Sequence, residues 1–239
     1  MNFGVRSISN YIFWVGSGNI LHTVVKSDVV TRKGMPVLTR AAALELGQAE
    51  GANSASLGLR GSVTNKADAV WVRRAQTDAY TSRSRADTPD PQVDHIVEVQ
   101  LLETAFARAF VAHRASAGSM ATRQATQILR DCLNSTGNLN VTSRDVNATK
   151  RGPFTAALNR MRDGRLRDID VHELARRGRA RRLVDDGAWG RICSSVVRSY
   201  DDLHDELCGS GVAAIPAAAT LVQASVDSLG DMLNTIGLK

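Results

Sequence analysis

Val93-Asp94-His95-Ile96-Val97-Glu98 is answered about forty residues later by Asn138-Leu139-Asn140 and then by Asn147-Ala148-Thr149-Lys150. The first segment follows Asp87-Thr88-Pro89-Asp90-Pro91-Gln92, whose two prolines break whatever precedes them, and its β-branched residues predict a short strand over 93–97. Residues 138–142 predict a second strand. Ser143 or Asp145 can cap a helix running on to about residue 161, with Pro153 predicting a kink or restart inside it. The order is therefore strand, insertion, strand, helix. Asp94 offers a hard anionic oxygen, His95 an imidazole with an unperturbed pKa of about 6.5, and Asn147 a neutral carbonyl oxygen. Lys150, three residues beyond Asn147, shares its helix face.

The flanks of this unit read mainly as helix. Residues 98–115 carry apolar side chains at Leu101, Leu102, Ala105, Phe106 and Phe110, the spacing of an amphipathic helix. Gly118 separates it from a second helix over 121–133, and Ser135-Thr136-Gly137 turns into the second strand. The segment from Asp68 to Ala79 has helical spacing at Val70, Val72 and Ala75, although Val70-Trp71-Val72 also suits a strand. Helices are predicted at about 171–184, 187–207 and 219–236. Upstream, residues 11–25 predict two short strands around Gly16-Ser17-Gly18-Asn19. Residues 36–47 predict a helix or a strand–helix step, and residues 48–64 a loop.

Composition narrows the class. With 43% hydrophobic and 23% charged residues, the 239-residue chain fits one large globular domain or one domain with a helical appendage. Aromatics, at 5%, are too few for a stacking platform that binds single-stranded nucleic acid. Residues 144–182 hold twelve Lys/Arg against five Asp/Glu, a net +7, more than the formal +6 of the whole chain. A positive field beginning inside a candidate hydrolytic centre suits a polyanion, while a solvated arginine-rich helix face is the plainer alternative. The run Arg176-Arg177-Gly178-Arg179-Ala180-Arg181-Arg182 is open between backbone contact, import signal and RNA-binding helix.

Cys132, Cys193 and Cys208 are isolated, which supports neither a disulfide framework nor a structural zinc site. The apolar patch at residues 11–15 is too short to span a bilayer and lacks a signal-peptide cleavage pattern. Asn134, Asn140 and Asn147 each begin a glycosylation sequon, and a glycan on Asn147 would destroy the candidate site. Together these predict an intracellular location, cytoplasm or nucleus, with no membrane partner.

The Asp94-His95 pair, Asn138 nine residues before Asn147, and Lys150 three beyond it together resemble the HNH, or ββα-metal (His-Me finger), nuclease family. The match covers residues 93–97 and 137–152. The resemblance implies an endonuclease using Mg²⁺ or Mn²⁺, with DNA a more probable substrate than RNA. It implies His95 as general base, Asp94 and Asn147 as metal ligands, Asn138 as support for the loop and for His95, and Lys150 as a phosphate contact. Asn140 is an alternative to Asn138. Arg144, Arg151, Arg83 and Arg85 are the further substrate-binding candidates. Three features depart from compact members: the long insertion between His95 and Asn138, Val97-Glu98 where proline often follows, and no zinc-binding cysteine pairs. Glu98 and Gln100 read as a helix-start acid and a surface residue, with additional ligands or substrate contacts as the alternative.

The expected fold class is α+β, mainly helical, with a small ββα-metal core and a short N-terminal β-hairpin. The expected organisation is an N-terminal region over 1–66, a nuclease core with helical insertion over 67–165, and a basic, helical C-terminal region over 166–239. Two other classes compete: a catalytically inactive nucleic-acid-binding or packaging protein, and a self-assembling helical protein using its apolar 212–238 segment.

Overall fold

The computed structural model describes residues 6–8, 11–15, 21–25, 59–113, 115–165, 169–209 and 213–239. It is mostly helical with two small antiparallel sheets. In the N-terminal sheet β1 (Arg6–Ile8), β2 (Tyr11–Val15) and β3 (Leu21–Val25) form a meander, so the expected hairpin is present with an additional strand ahead of it. The helix expected over 36–47, and the loop over 48–64 as far as residue 58, lie outside the described residues.

The second sheet is the strand pair read from the sequence. β4 (Pro91–His95) lies antiparallel to β5 (Leu139–Ser143), with Asp94 opposite Asn140 and His95 opposite Leu139. Strand β4 starts two residues earlier than expected and stops at His95. Its first residue, Pro91, has no N–H to donate, which a two-stranded sheet made only of edges tolerates. One face of the pair carries Val93, Leu139 and Val141 against Val70 and Trp71 of helix α1 (Ala67–Arg73). That helix stops well short of residue 79 because Ala75 and Gln76 take positive φ, and the Gln76 N–H bonds back to the Trp71 carbonyl at 2.8 Å.

Chain order sets the other face. The chain leaves β5 at Ser143, whose hydroxyl accepts from the Val146 N–H at 3.3 Å, and enters α4 (Arg144–Arg162). Asp145 in the first turn and Arg160 and Arg162 in the last complement the helix dipole. Pro153 does not end this helix. It is buried inside one continuous element, beside Phe154, and that packing outweighs the lost backbone bond.

Between β4 and β5 stand α2 (Val99–Ala112) and α3 (Ser119–Leu133), the predicted insertion. Beyond α4 the expected 171–184 helix is divided into α5 (Val171–Ala175) and α6 (Arg181–Asp185), broken where Gly178 adopts φ +61°. The long α7 (Ala188–Gly209) and α8 (Pro216–Thr235) follow, α8 opening on a proline whose missing N–H costs nothing at that position. Its apolar face, including Leu221, Val226, Leu229 and Leu233, is buried against α2, α3 and α7. At roughly 1.5–3 kcal/mol for each such side chain, α8 belongs to this chain's own core. Its apolar spacing is accounted for by packing within this chain. The main core joins residues of 96–161 to residues of 169–236 without interruption, so it spans the boundary expected at 165. No helix among the described residues is long and apolar enough to cross a membrane.

Gly230 marks the tightest contact of this core. A Cβ there would lie 2.4 Å from the Tyr200 hydroxyl oxygen and 3.0 Å from the ring carbon bearing it. Gly230→Ala is therefore expected to destabilise by about 1–3 kcal/mol, although alanine is the better helix former. Tyr200→Phe in the same background should restore only part of the loss, because the ring carbon stays close. Urea denaturation of the four members of this cycle measures both effects.

Candidate active site

Alternation along β4 sends Asp94 and His95 to opposite faces of the strand. Asp94 faces α4, where its Oδ2 accepts from Lys150 Nζ at 2.5 Å and from the Tyr80 hydroxyl at 3.0 Å. The same ammonium donates to the His95 carbonyl oxygen at 2.5 Å and to the Tyr80 hydroxyl at 3.2 Å, and lies 3.1 Å from Glu98 Oε1. It also sits 5.2 Å from the centre of the Tyr80 ring. Lys150 has no exposed surface, so it does not reach a phosphate as the resemblance implied; it is an internal counter-ion.

Electrostatics explain why the charge persists there. Burial opposes an ammonium, but Asp94 and Glu98 outweigh it and hold the Lys150 pKa well above the ordinary lysine value. Burial raises the Glu98 pKa, with Lys150 working against the shift. Burial likewise pushes the Tyr80 hydroxyl well above its usual value, so it stays protonated and able to donate to Asp94. Glu98 is accordingly a member of the buried cluster; its side chain makes no cap bond to the helix it precedes.

His95 is buried on the other side, where its Nε2 lies 2.9 Å from Asn134 Oδ1. Burial lowers its pKa, an effect that the Asn134 contact and Asp94 partly oppose. The ring support expected from Asn138 thus comes from Asn134. Asn138 instead braces the loop after His95: its Oδ1 accepts from the Val97 N–H at 2.8 Å, and its Nδ2 donates to the Leu133 carbonyl at 2.9 Å. Asn140, the alternative, is committed elsewhere. Its amide donates to Asp78 Oδ1 at 2.8 Å and accepts from the Ala79 N–H at 3.1 Å.

Asn147 lies in the second turn of α4, with its Nδ2 3.4 Å from Gln92 Oε1. Gln92 and Asp94 alternate onto one strand face, so Asn147, Asp94 and Lys150 share one side of the sheet. The Asn147 Oδ1 is buried and has no hydrogen-bond partner among the described residues. A buried carbonyl oxygen left unpaired is costly, and a bound cation is one way to satisfy it. The donor set of one carboxylate and one amide oxygen fits a hard divalent ion that keeps most of its own water. Among the described residues no three His, Cys, Asp or Glu side chains converge as a metal cage.

The surface cations surround this unit unevenly. Arg144 is paired with Asp90 at 3.1 Å and Arg85 with Asp68 at 2.7 Å, all four exposed. Arg83 and Arg151 are exposed. Arg182 reaches α4 to bond the Thr149 hydroxyl at 2.6 Å and to pair with Asp145. Tyr80, Asn134 and Asp78 were missed in the sequence. Buried Asp78 organises the 78–81 turn, accepting from Asn140, Thr142, Thr81 and the Tyr80 N–H. Its only local signal was the Asp-Ala-Tyr-Thr turn chemistry.

No family model, curated protein or solved structure matches this chain.

Two stability measurements check this account. Lys150→Ala leaves two buried carboxylates facing each other and should cost about 3–5 kcal/mol, whereas Arg151→Ala on the exposed side of the same helix should stay within about 0.5 kcal/mol; urea midpoints of the two variants compare them. The second concerns His95. With a folded pKa below the unfolded value of about 6.5, the unfolded chain takes up the proton first on acidification. This histidine's contribution is complete above that pH and lost as the pH falls toward the lower folded value. The loss of stability between pH 7.5 and 5.5 should therefore be smaller in His95→Gln than in the parent.

Proposed function

We propose that this chain is a metal-dependent endonuclease of the HNH, or ββα-metal, type that hydrolyses phosphodiester bonds, in DNA in preference to RNA. The observation carrying this reading is the antiparallel β4–β5 pair leading directly into α4. It brings Asp94 and the Asn147 segment, 53 positions apart in sequence, onto one side of one small sheet. Asp94 and Asn147 would hold the divalent ion, Mg²⁺ or Mn²⁺, and the unpaired Asn147 Oδ1 supports that assignment. When bound, such an ion neutralises phosphate charge and stabilises a leaving oxygen.

The remaining roles belong to the chain's own groups. His95, kept neutral by burial, is suited to accept a proton from water. Asn138 fixes the backbone that follows it. Lys150 holds the Asp94 carboxylate from behind, through Oδ2. Exposed Arg83, Arg85, Arg144 and Arg151 supply a positive surface for the polyanion, a sequence-independent attraction. An intracellular setting fits the sequons: Asn134 and Asn140 are buried and their amides hydrogen-bonded within the protein, leaving no room for a glycan on the folded chain.

A second reading, nucleic-acid binding without cleavage, has two observations in its favour. Asp94 already carries an internal ammonium, and the His95 ring lies on the opposite strand face. Plasmid nicking separates the two. With Mg²⁺ or Mn²⁺ present, the parent should nick, EDTA should stop it, and His95→Ala should be slower by about 10²–10⁴-fold at unchanged DNA affinity. Equal nicking by parent and His95→Ala removes the mechanism. EDTA-resistant binding with no cleavage in either metal favours the second reading.

A further inference from the structure

We infer that Asn134 fixes His95 as its Nε2–H tautomer, leaving Nδ1 as the nitrogen with the basic lone pair, and is a positioning residue for this imidazole. The argument begins with which end of the Asn134 amide is which. Its Nδ2 donates to two backbone carbonyls, Leu59 at 2.9 Å and Arg130 at 2.6 Å. Its Oδ1 accepts from the Gly61 backbone N–H at 3.1 Å. Carbonyl oxygens cannot donate and a backbone N–H cannot accept, so three main-chain groups specify the amide orientation without reference to histidine.

An amide oxygen only accepts. The 2.9 Å contact between His95 Nε2 and that oxygen therefore requires the proton on Nε2, and a neutral imidazole then presents Nδ1 as its acceptor. The Asn134 contact engages Nε2 alone and leaves the Nδ1 lone pair outside it.

The frame around Asn134 is itself held in place. Asn134 caps the C-terminus of α3, and its backbone carbonyl accepts from Lys66 Nζ at 2.7 Å. Gly61 lets the main chain approach: a Cβ there would stand 3.1 Å from the Asn134 amide carbon and oxygen. Residues 59–61, placed by sequence in an N-terminal region apart from the site, thus belong to the support of His95. Asn138 cannot substitute, because both ends of its amide are used on Val97 and Leu133.

The tautomer assignment is independent of function; the positioning role rests on the nuclease reading. Ring ¹⁵N-selective NMR of the metal-free full chain at neutral pH tests the first. The parent should show a slowly exchanging ring proton bonded to His95 Nε2, and Asn134→Ala should lose it to fast exchange. A ring proton on Nδ1 overturns the assignment from the parent spectrum alone, whether or not the variant folds. An Nε2 proton equally protected in a folded Asn134→Ala also overturns it. Nicking kinetics test the role: Asn134→Ala should lower kcat about 10–100-fold with KM unchanged, and a loss in KM alone overturns positioning. A parent with the Asn134-dependent Nε2 proton but no nicking sinks the nuclease reading and the role built on it, while the tautomer stands.

Discussion

One ammonium, that of Lys150, joins three pieces of this structure that are far apart in the chain. It arises from α4, touches Asp94 and the His95 carbonyl of β4, and lies against Glu98 at the mouth of α2. In a buried setting two carboxylates without a cation would repel each other and neutralise by taking up protons. With the cation they become a joint. The same joint holds the strand that carries the candidate metal ligand and base at a set height against the helix that carries the second ligand. Tyr80 closes the cluster from a turn organised by Asp78, so the loop ahead of β4 is tied to the same point.

Closing a ββα unit around a long helical insertion poses a separate mechanical problem, because the two strands are no longer joined by a tight turn. Two devices compensate. The Ile96 N–H continues the ladder to the Asn138 carbonyl at 2.8 Å, and Asn138 clamps Val97 with its side chain. Farther out, α8 covers the apolar faces of α2 and α3, so the insertion is packed into the core from the chain's other end. The C-terminal helix is thus packed on the two helices that separate β4 from β5.

The strand–insertion–strand–helix order could be read from the sequence because its signals are local. They are a β-branched run after two prolines, a serine cap, and apolar residues three and four apart. The break in the 171–184 helix is not legible because Gly178, which takes a positive φ, sits within a pattern that otherwise keeps helical spacing. Lys150 was misjudged for a different reason. A lysine on an amphipathic helix ordinarily points to water, and only the tertiary placement of Asp94 and Glu98 makes burial favourable. The roles of Asn134 and Tyr80 are not legible because each acts across a gap of 14 residues or more, from a helix end and a turn, and no motif marks that role.

The basic stretch changes meaning once its partners are known. Lys150 is internal, Arg182 is spent on α4, and Arg144 and Arg176 meet Asp90 and Glu173 at the surface. Pairing does not remove charge from the count, so the field beside the sheet stays positive. Exposed pairs of this kind contribute only about 0–1 kcal/mol, which makes the carboxylates of Asp90 and Glu173 readily exchangeable for phosphate oxygens. Buried pairs are not exchangeable in this way, because opening one leaves a charge in a low-dielectric interior. On the nuclease reading, then, the exposed arginines are free to trade partners as the polyanion arrives, while the ion cluster that sets the geometry of Asp94 stays shut.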